Sequence, residues 1–179
     1  MFEKRLKYAR VEIERRFLLA ALPSDIDPRL GYRTLEDLYF PGTSLRLRRA
    51  TSPTGEVIEL KLNQKLANEP PLPTHRIITS VYLSPADYDF LDRLSGARLA
   101  KRRYAFSWQG TCFGIDVFQA SLRGLVLAEA EALSEASLAS VPALPVRHVE
   151  VTAEPLFCGG ALAAAEPARI LERARELLA

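Results

Sequence analysis

Cysteine, histidine and long apolar runs are all scarce in this chain, and each scarcity excludes something. Two cysteines in 179 residues, Cys112 and Cys158, are too few and too far apart for a disulfide scaffold or a thiolate metal site. They read as free thiols of a reducing compartment. His75 and His148 are the only histidines and have no partners at ligand spacing, so each reads as an incidental polar residue. No apolar run approaches the roughly 18 residues that a membrane span requires. The basic opening MFEKRLKYAR lacks the apolar core of a signal peptide. A net charge of +2, from 24 basic and 22 acidic residues, is not the basic excess of a nucleic-acid binder. These absences predict a soluble, cytoplasmic protein with neither nucleic acid nor membrane as partner. Length and a 48% hydrophobic content predict a single domain over 1–179 that buries a core.

What the chain does have is alternation. In VEIERRFLL (11–19), Val11, Ile13 and Phe17 alternate with Glu12, Glu14 and Arg16. SLRLRR (44–49), VIELKLNQK (57–65), LAKRRYAFSW (99–108), FGIDVF (113–118) and LVLAEAEAL (125–133) repeat the period of two, and further strands are expected at about 34–40 and 75–83. Turn chemistry joins them at PGT (41–43), SPTGE (52–56) and QG (109–110). Helical signals are fewer. SPADYDFLDRLSG (84–96) has Ser84 as N-cap and Pro85 at the first helical position, SEASLAS (134–140) is a short candidate, and a C-terminal helix is expected over about 166–179.

Eight or so strands with few helices leave a sandwich or a barrel. If the charged faces meet solvent, they are only a hydrated shell. Yet surface strands rarely repeat Arg-x-Arg and Glu-x-Glu. In a closed barrel such faces would line the bore, with the helices covering the apolar exterior. The lining would then hold the acids Glu12, Glu14, Asp116, Glu129 and Glu131 and the bases Arg16, Arg46, Arg48, Lys61, Arg76, Lys101 and Arg103. Arginine forks match phosphate oxygens, and clustered carboxylates suit Mg²⁺ or Mn²⁺. A metal-bound polyphosphate is the ligand that this pairing would accept.

Glu12, Glu14 and Arg16 resemble the ExExK signature of the CYTH proteins, or triphosphate tunnel metalloenzymes. The resemblance continues in order through GTSLRLRR (42–49), ELKL (59–62), AKRRY (100–104), GIDVF (114–118) and GLVLAEAEA (124–132), and VEVTAEPLFCGGALA (149–163) is similar to the tail of bacterial single-domain members. It implies a mainly β fold, a closed eight-stranded antiparallel barrel with a charged bore and a few covering helices. It implies phosphate binding by Arg16, Arg46, Arg48, Lys61, Arg76, Lys101 and Arg103, a divalent metal on Glu12, Glu14, Glu129 and Glu131, and a catalytic set of Glu12, Glu14, Arg16 and Glu129. Asp116 matches an acid that is either a metal ligand or the partner of a lysine. The implied activity is metal-dependent hydrolysis of a triphosphate, inorganic tripolyphosphate first, by a monomer or homodimer. Relatives hydrolyse thiamine triphosphate or cyclise ATP, and a triphosphate-binding module with little turnover is the other alternative.

Two departures stand out. Arg16 replaces the lysine of the signature, and no Asp or Glu occurs from Pro70 through Ala86, where the family's middle strand commonly carries an acid. That strand reads THRIITSVYL, and parity alone does not choose between His75 and Arg76. Lys65 shares the parity of Lys61, at the tunnel mouth or in solvent. Glu59 is expected to pair with Lys61, and Arg102 to face outward. Asp37 is left open between a strand end and the site. Tyr39, Phe40, Tyr104, Phe106 and Trp108 are expected on the exterior.

Overall fold

The computed structural model describes residues 7–179; the first six residues of the basic opening segment lie outside the described residues. The alternating stretches form nine strands: β1 (Ala9–Leu19), β2 (Tyr32–Tyr39), β3 (Leu45–Thr51), β4 (Val57–Ala67), β5 (His75–Tyr82), β6 (Ala97–Trp108), β7 (Thr111–Phe118), β8 (Val126–Ala132) and β9 (His148–Glu150). Hydrogen bonding runs in the order β5-β4-β3-β2-β6-β7-β8-β1, and β1 pairs back onto β5, closing an eight-stranded antiparallel barrel. The short β9 adds to the far end of β1 through Phe17, Leu18 and Leu19. Nothing in the sequence announces β9, because three residues carry no readable period.

Hairpin turns fix the register. Trp108 faces Thr111 across Gln109 and Gly110, both at positive φ, a two-residue turn whose twist matches that of its strands. Once register is set, period two sends alternate side chains to opposite sides. The outward row of β1, β6, β7 and β8 supplies Phe17, Leu19, Tyr104, Phe106, Phe113 and Ile115 to one apolar cluster, covered by Leu144 and the chain around Leu22 and Ile26. Tyr104, Phe106 and Trp108 therefore cover the exterior as expected, and the Arg102 guanidinium lies over the outer ring of Tyr32 at 4.6 Å.

The helix α1 (Pro85–Leu91) covers β2–β4 by packing Tyr88 and Leu91 on Leu38, Leu47, Leu60 and Leu62. It begins as expected: Ser84 Oγ accepts the Asp87 amide at 3.2 Å and Pro85 occupies the first turn. The expected 84–96 helix is shorter because the chain leaves the helix at Asp92 and enters β6 at Ala97. Helix α2 (Glu135–Ala139) is closed by a Ser134–Ser137 capping box.

Two further helices, α3 (Gly159–Ala164) and α4 (Pro167–Leu178), act at one end of the barrel. Here the inward rows of β1, β6, β7 and β8 turn apolar, at Leu18, Leu99, Phe118 and Leu127. They meet Val151, Phe157, Leu162, Ile170 and Ala174 in one buried cluster. The C-terminal segments thus plug the bore rather than cover the exterior. Phe157 has no exposed surface and joins the plug to the barrel. Phe157→Ala is expected to lower unfolding free energy by about 3–5 kcal/mol, read from urea denaturation. A loss below about 1 kcal/mol would mean that the plug does not depend on it.

Candidate active site: a charged bore

The remaining inward rows line a cavity of about 830 Å³. Among the described residues ten cationic side chains reach it: Arg10, Arg16, Arg33, Arg46, Arg48, Lys61, Lys65, Arg76, Lys101 and Arg103. Against them stand four carboxylates, Glu12, Glu14, Glu129 and Glu131, all on the neighbouring strands β1 and β8. All seven basic residues expected in the bore line it, and so do four of the five acids. Arg76, not His75, is on the inward row. His75 lies on the other face, between Thr74 Oγ1 at 2.8 Å and Glu135 at 3.1 Å.

Asp116 is the fifth acid. It is fully buried and absent from the cavity wall. Its carboxylate accepts from Lys101 Nζ at 2.5 Å and from Arg103 Nε and Nη2 at 2.6 Å each. Of the two roles expected for it, these contacts are those of a lysine partner, with Arg103 as a second cation. Gly114 lies beneath this pair; a Cβ there would stand 3.4 Å from Arg103 Cδ and Nε, in ordinary contact. The Arg103 guanidinium lies across β7, bridging Asp116 and Glu129.

The residue that sequence analysis left open proves central. Asp37 is 3% exposed and receives Arg48 in a bidentate fork, at 2.6 Å and 2.7 Å. The pairing follows from register, since Asp37 lies opposite Arg48 across β2 and β3. Tyr39, expected on the exterior, lines the cavity instead. It shares the inward parity of Asp37, and Gly159 at the start of α3 leaves the space that its hydroxyl fills. Lys65 also lines the bore and donates to Glu12 at 2.7 Å, while Lys61 pairs with Glu59 at 2.8 Å. Arg10 and Arg33 were not anticipated; both sit where the alternation begins, with too few residues to show a row.

On β1, Arg16 joins the acids, reaching Glu14 at 2.5 Å, Glu129 at 3.2 Å and Cys158 Sγ at 3.7 Å. Burial opposes the charge of Glu129, but Arg103, Lys101 and Arg16 hold its carboxyl well below the usual range. Asp37 is also held below its ordinary value against burial, by Arg48 and Arg46. Glu14 behaves in the opposite way. Burial and the neighbouring Glu129 raise it, with Glu12 adding to the rise and Arg16 and Lys65 opposing it. Burial lowers Lys101 and Lys61, and burial with Asp37 close by pushes the Tyr39 phenol up to about 12.

Among the described residues no three Asp, Glu, His or Cys side chains converge as a ready-made metal centre. Glu12, Glu14 and Glu129 turn towards Lys65, Arg16 and Arg103 instead. Their chemistry nonetheless fits a hard divalent cation. The donors are all oxygen, and Glu14 is crowded by two further carboxylates, an excess of negative charge that a cation would relieve.

These shifts fix how stability depends on pH. Asp37 and Glu129 are depressed, so their contribution is present above the ordinary carboxylate range and is lost as pH falls through it. Glu14 acts with the opposite sign, since its ionisation is disfavoured by folding. Two strongly depressed groups outweigh one raised group, so the urea midpoint is expected to fall between pH 6 and pH 3. Asp37→Asn, which strands Arg48, is expected to cost about 3–5 kcal/mol at pH 6 and to flatten that profile. A midpoint unchanged between the two pH values would contradict this account of the bore.

No protein-family model matches the chain, and no curated protein matches it. Solved structures do. The inorganic triphosphatase NE1496 is 28% identical, over 87% of this chain and 96% of its own, with a TM-score of 0.58. A second crystal structure, described as that of the hypothetical protein NE1496, is also 28% identical, over 86% and 98%, with a TM-score of 0.57. A putative adenylate cyclase from Bacillus halodurans is 14% identical over 74% of this chain and 86% of its own, with a TM-score of 0.50, a likeness of fold alone. The closed antiparallel barrel, the charged inward rows and these neighbours together give the chain the triphosphate-tunnel fold of the CYTH proteins.

Proposed function

We propose that this protein hydrolyses a triphosphate in the bore of its barrel, that inorganic tripolyphosphate is the substrate, and that Mg²⁺ or Mn²⁺ is required. One observation carries the reading: ten cations line a single cavity against four carboxylates gathered on two adjacent strands. Such a wall binds a compact polyanion, and the carboxylate strip offers a place for its cation. The similarity to an inorganic triphosphatase supports the same activity.

The chain's own groups divide the work. Asp37 and Asp116 hold Arg48, Lys101 and Arg103 in fixed positions, so that less side-chain freedom is lost when phosphate oxygens arrive. Arg46, Lys61 and Arg76 add further donors along β3, β4 and β5. Arg16 is raised above its ordinary value by Glu129 and Glu14 against the effect of burial. It therefore keeps its proton and serves as a fixed positive charge for the developing charge on the phosphate. Glu12, Glu14 and Glu129 would hold the divalent cation, which when bound polarises phosphate oxygens and activates water. Together with Arg16 these acids form the catalytic set, and Glu131, paired with Arg10 at 2.9 Å, lies beside them in the bore.

A second reading keeps the ligand and drops the turnover. The inward row of β5 is Arg76, Ile78 and Ser80, with no carboxylate. A wall without an acid there favours a protein that binds triphosphate and releases it intact.

Orthophosphate release from tripolyphosphate separates the two. The wild type is expected to release it with Mg²⁺ or Mn²⁺ and to stop with EDTA. The Glu12→Gln, Glu14→Gln double variant is expected to be slower by at least about 100-fold. Calorimetric binding without release would select the binding module, and neither binding nor release would remove the triphosphate reading altogether.

A further inference from the structure

Arg46, like Arg76 on β5, has no carboxylate within hydrogen-bond distance. Arg16, Arg48, Lys101 and Arg103 each donate to a carboxylate. Arg46 donates to an amide: its Nη2 reaches Asn63 Oδ1 at 2.7 Å. The nearest carboxylate oxygen, Asp37 Oδ1, lies 3.8 Å from Arg46 Nε, and Asp37 already receives the Arg48 fork. Arg46 Nε is buried and has no hydrogen-bond partner among the described residues. A buried donor left unsatisfied is costly, and in native structures such groups are rare.

Asn63 is 2% exposed, and its orientation is dictated by its neighbours. Arginine only donates, so the amide must turn its oxygen to Arg46. Its Nδ2 then donates to Ser80 Oγ at 2.7 Å. The amide is thus pinned from both sides, between β3 and β5. It steadies the guanidinium while adding no negative charge.

We propose that Asn63 is a positioning residue for anion binding, a neutral buttress that holds Arg46 in place without cancelling its charge, so that the unpartnered Nε–H is kept for an oxygen of the bound polyanion. The inference rests on the triphosphate reading of the bore and goes beyond it by assigning the task to an uncharged residue, between Lys61 and Lys65 on the inward row of β4.

An aspartate at this position would be nearly isosteric and would accept the same hydrogen bond with charge assistance. A purely structural role for Asn63 would therefore be kept or improved by Asn63→Asp. A role in leaving Arg46 without a hydrogen-bonded carboxylate would be lost. The two roles predict opposite outcomes for affinity.

The experiment is calorimetric titration of tripolyphosphate, with EDTA present so that a new carboxylate cannot recruit a cation, beside thermal melts of the same proteins. Asn63→Asp is expected to melt at or above the wild-type temperature and to bind tripolyphosphate at least tenfold more weakly. A folded Asn63→Asp protein whose Kd stays within twofold of wild type overturns the proposal while leaving the triphosphate reading intact. A wild type that does not bind tripolyphosphate overturns both. Should Asn63→Asp not fold, Ser80→Asp brings a carboxylate to the same wall from β5. It is expected to weaken binding at least threefold, and an unchanged Kd there would also overturn the proposal.

Discussion

The rest of this structure depends on making it tolerable to crowd cations inside a closed barrel. An ion taken out of water loses several kcal/mol of solvation even after the protein relaxes, and like charges side by side add to the loss. The chain meets this by placing two aspartates behind the cavity. Asp116, wholly buried, serves Lys101 and Arg103 together, and Asp37 takes both arms of Arg48. The glutamates of β1 and β8 complete the compensation from the other side, with Arg16 and Arg103 both bonded to Glu129. The bore is still left with more positive than negative charge.

Backbone register creates these pairs, which explains how much of the site was legible in the sequence. Period two needs only a run of residues to be seen, so the Arg46/Arg48, Lys101/Arg103 and Glu129/Glu131 rows were visible, and so was the barrel they imply. Asp37 sits in LEDLYF beside Glu36, and nothing local distinguishes the two. Only the pairing of β2 with β3 sets Asp37 against Arg48 inside and Glu36 against Arg49 outside. Tyr39 was misplaced for a related reason. An aromatic residue in a strand reads as exterior cover, and its inward position depends on the space left by Gly159, far along the chain. The glycines of FCGGALA carry no periodic signal, so neither α3 nor the plug to which it contributes announced itself.

The plug also changes what the C-terminal region is for. An amphipathic helix over 167–178 is easily taken as cover for an apolar outer face. Instead α4 joins Leu18, Leu99, Phe118 and Leu127 on the inner side, where the rows that are charged in the middle of the barrel become aliphatic at its end. Each of four strands therefore switches the character of its inward face partway along its length. Polar groups are thus kept to the charged stretch, and the aliphatic one is closed by apolar side chains. Cys158, at the start of α3 and 3.7 Å from Arg16, lies on the boundary between the two.

The distribution of acids around the bore decides how its cations differ from one another. The acids of the wall lie on β1 and β8, Asp37 and Asp116 sit behind it, and Glu59 on β4 pairs with Lys61, so the cations differ in what they are bonded to. Arg16 and Arg103 are each bonded to more than one carboxylate, whereas β3, β4 and β5 meet at Arg46, Asn63 and Ser80, where the only bonded partners are neutral. The absence of acid from Pro70 to Ala86 is thus more than a missing ligand. It leaves Arg46 held by an amide and Arg76 by backbone carbonyls, opposite a side where charge is already paired. A polyanion gains most where it replaces no existing ion pair. Arg46 and its neutral partners form a part of the wall where no hydrogen-bonded ion pair stands in the way, in contrast to the densest cluster of cations around Glu129.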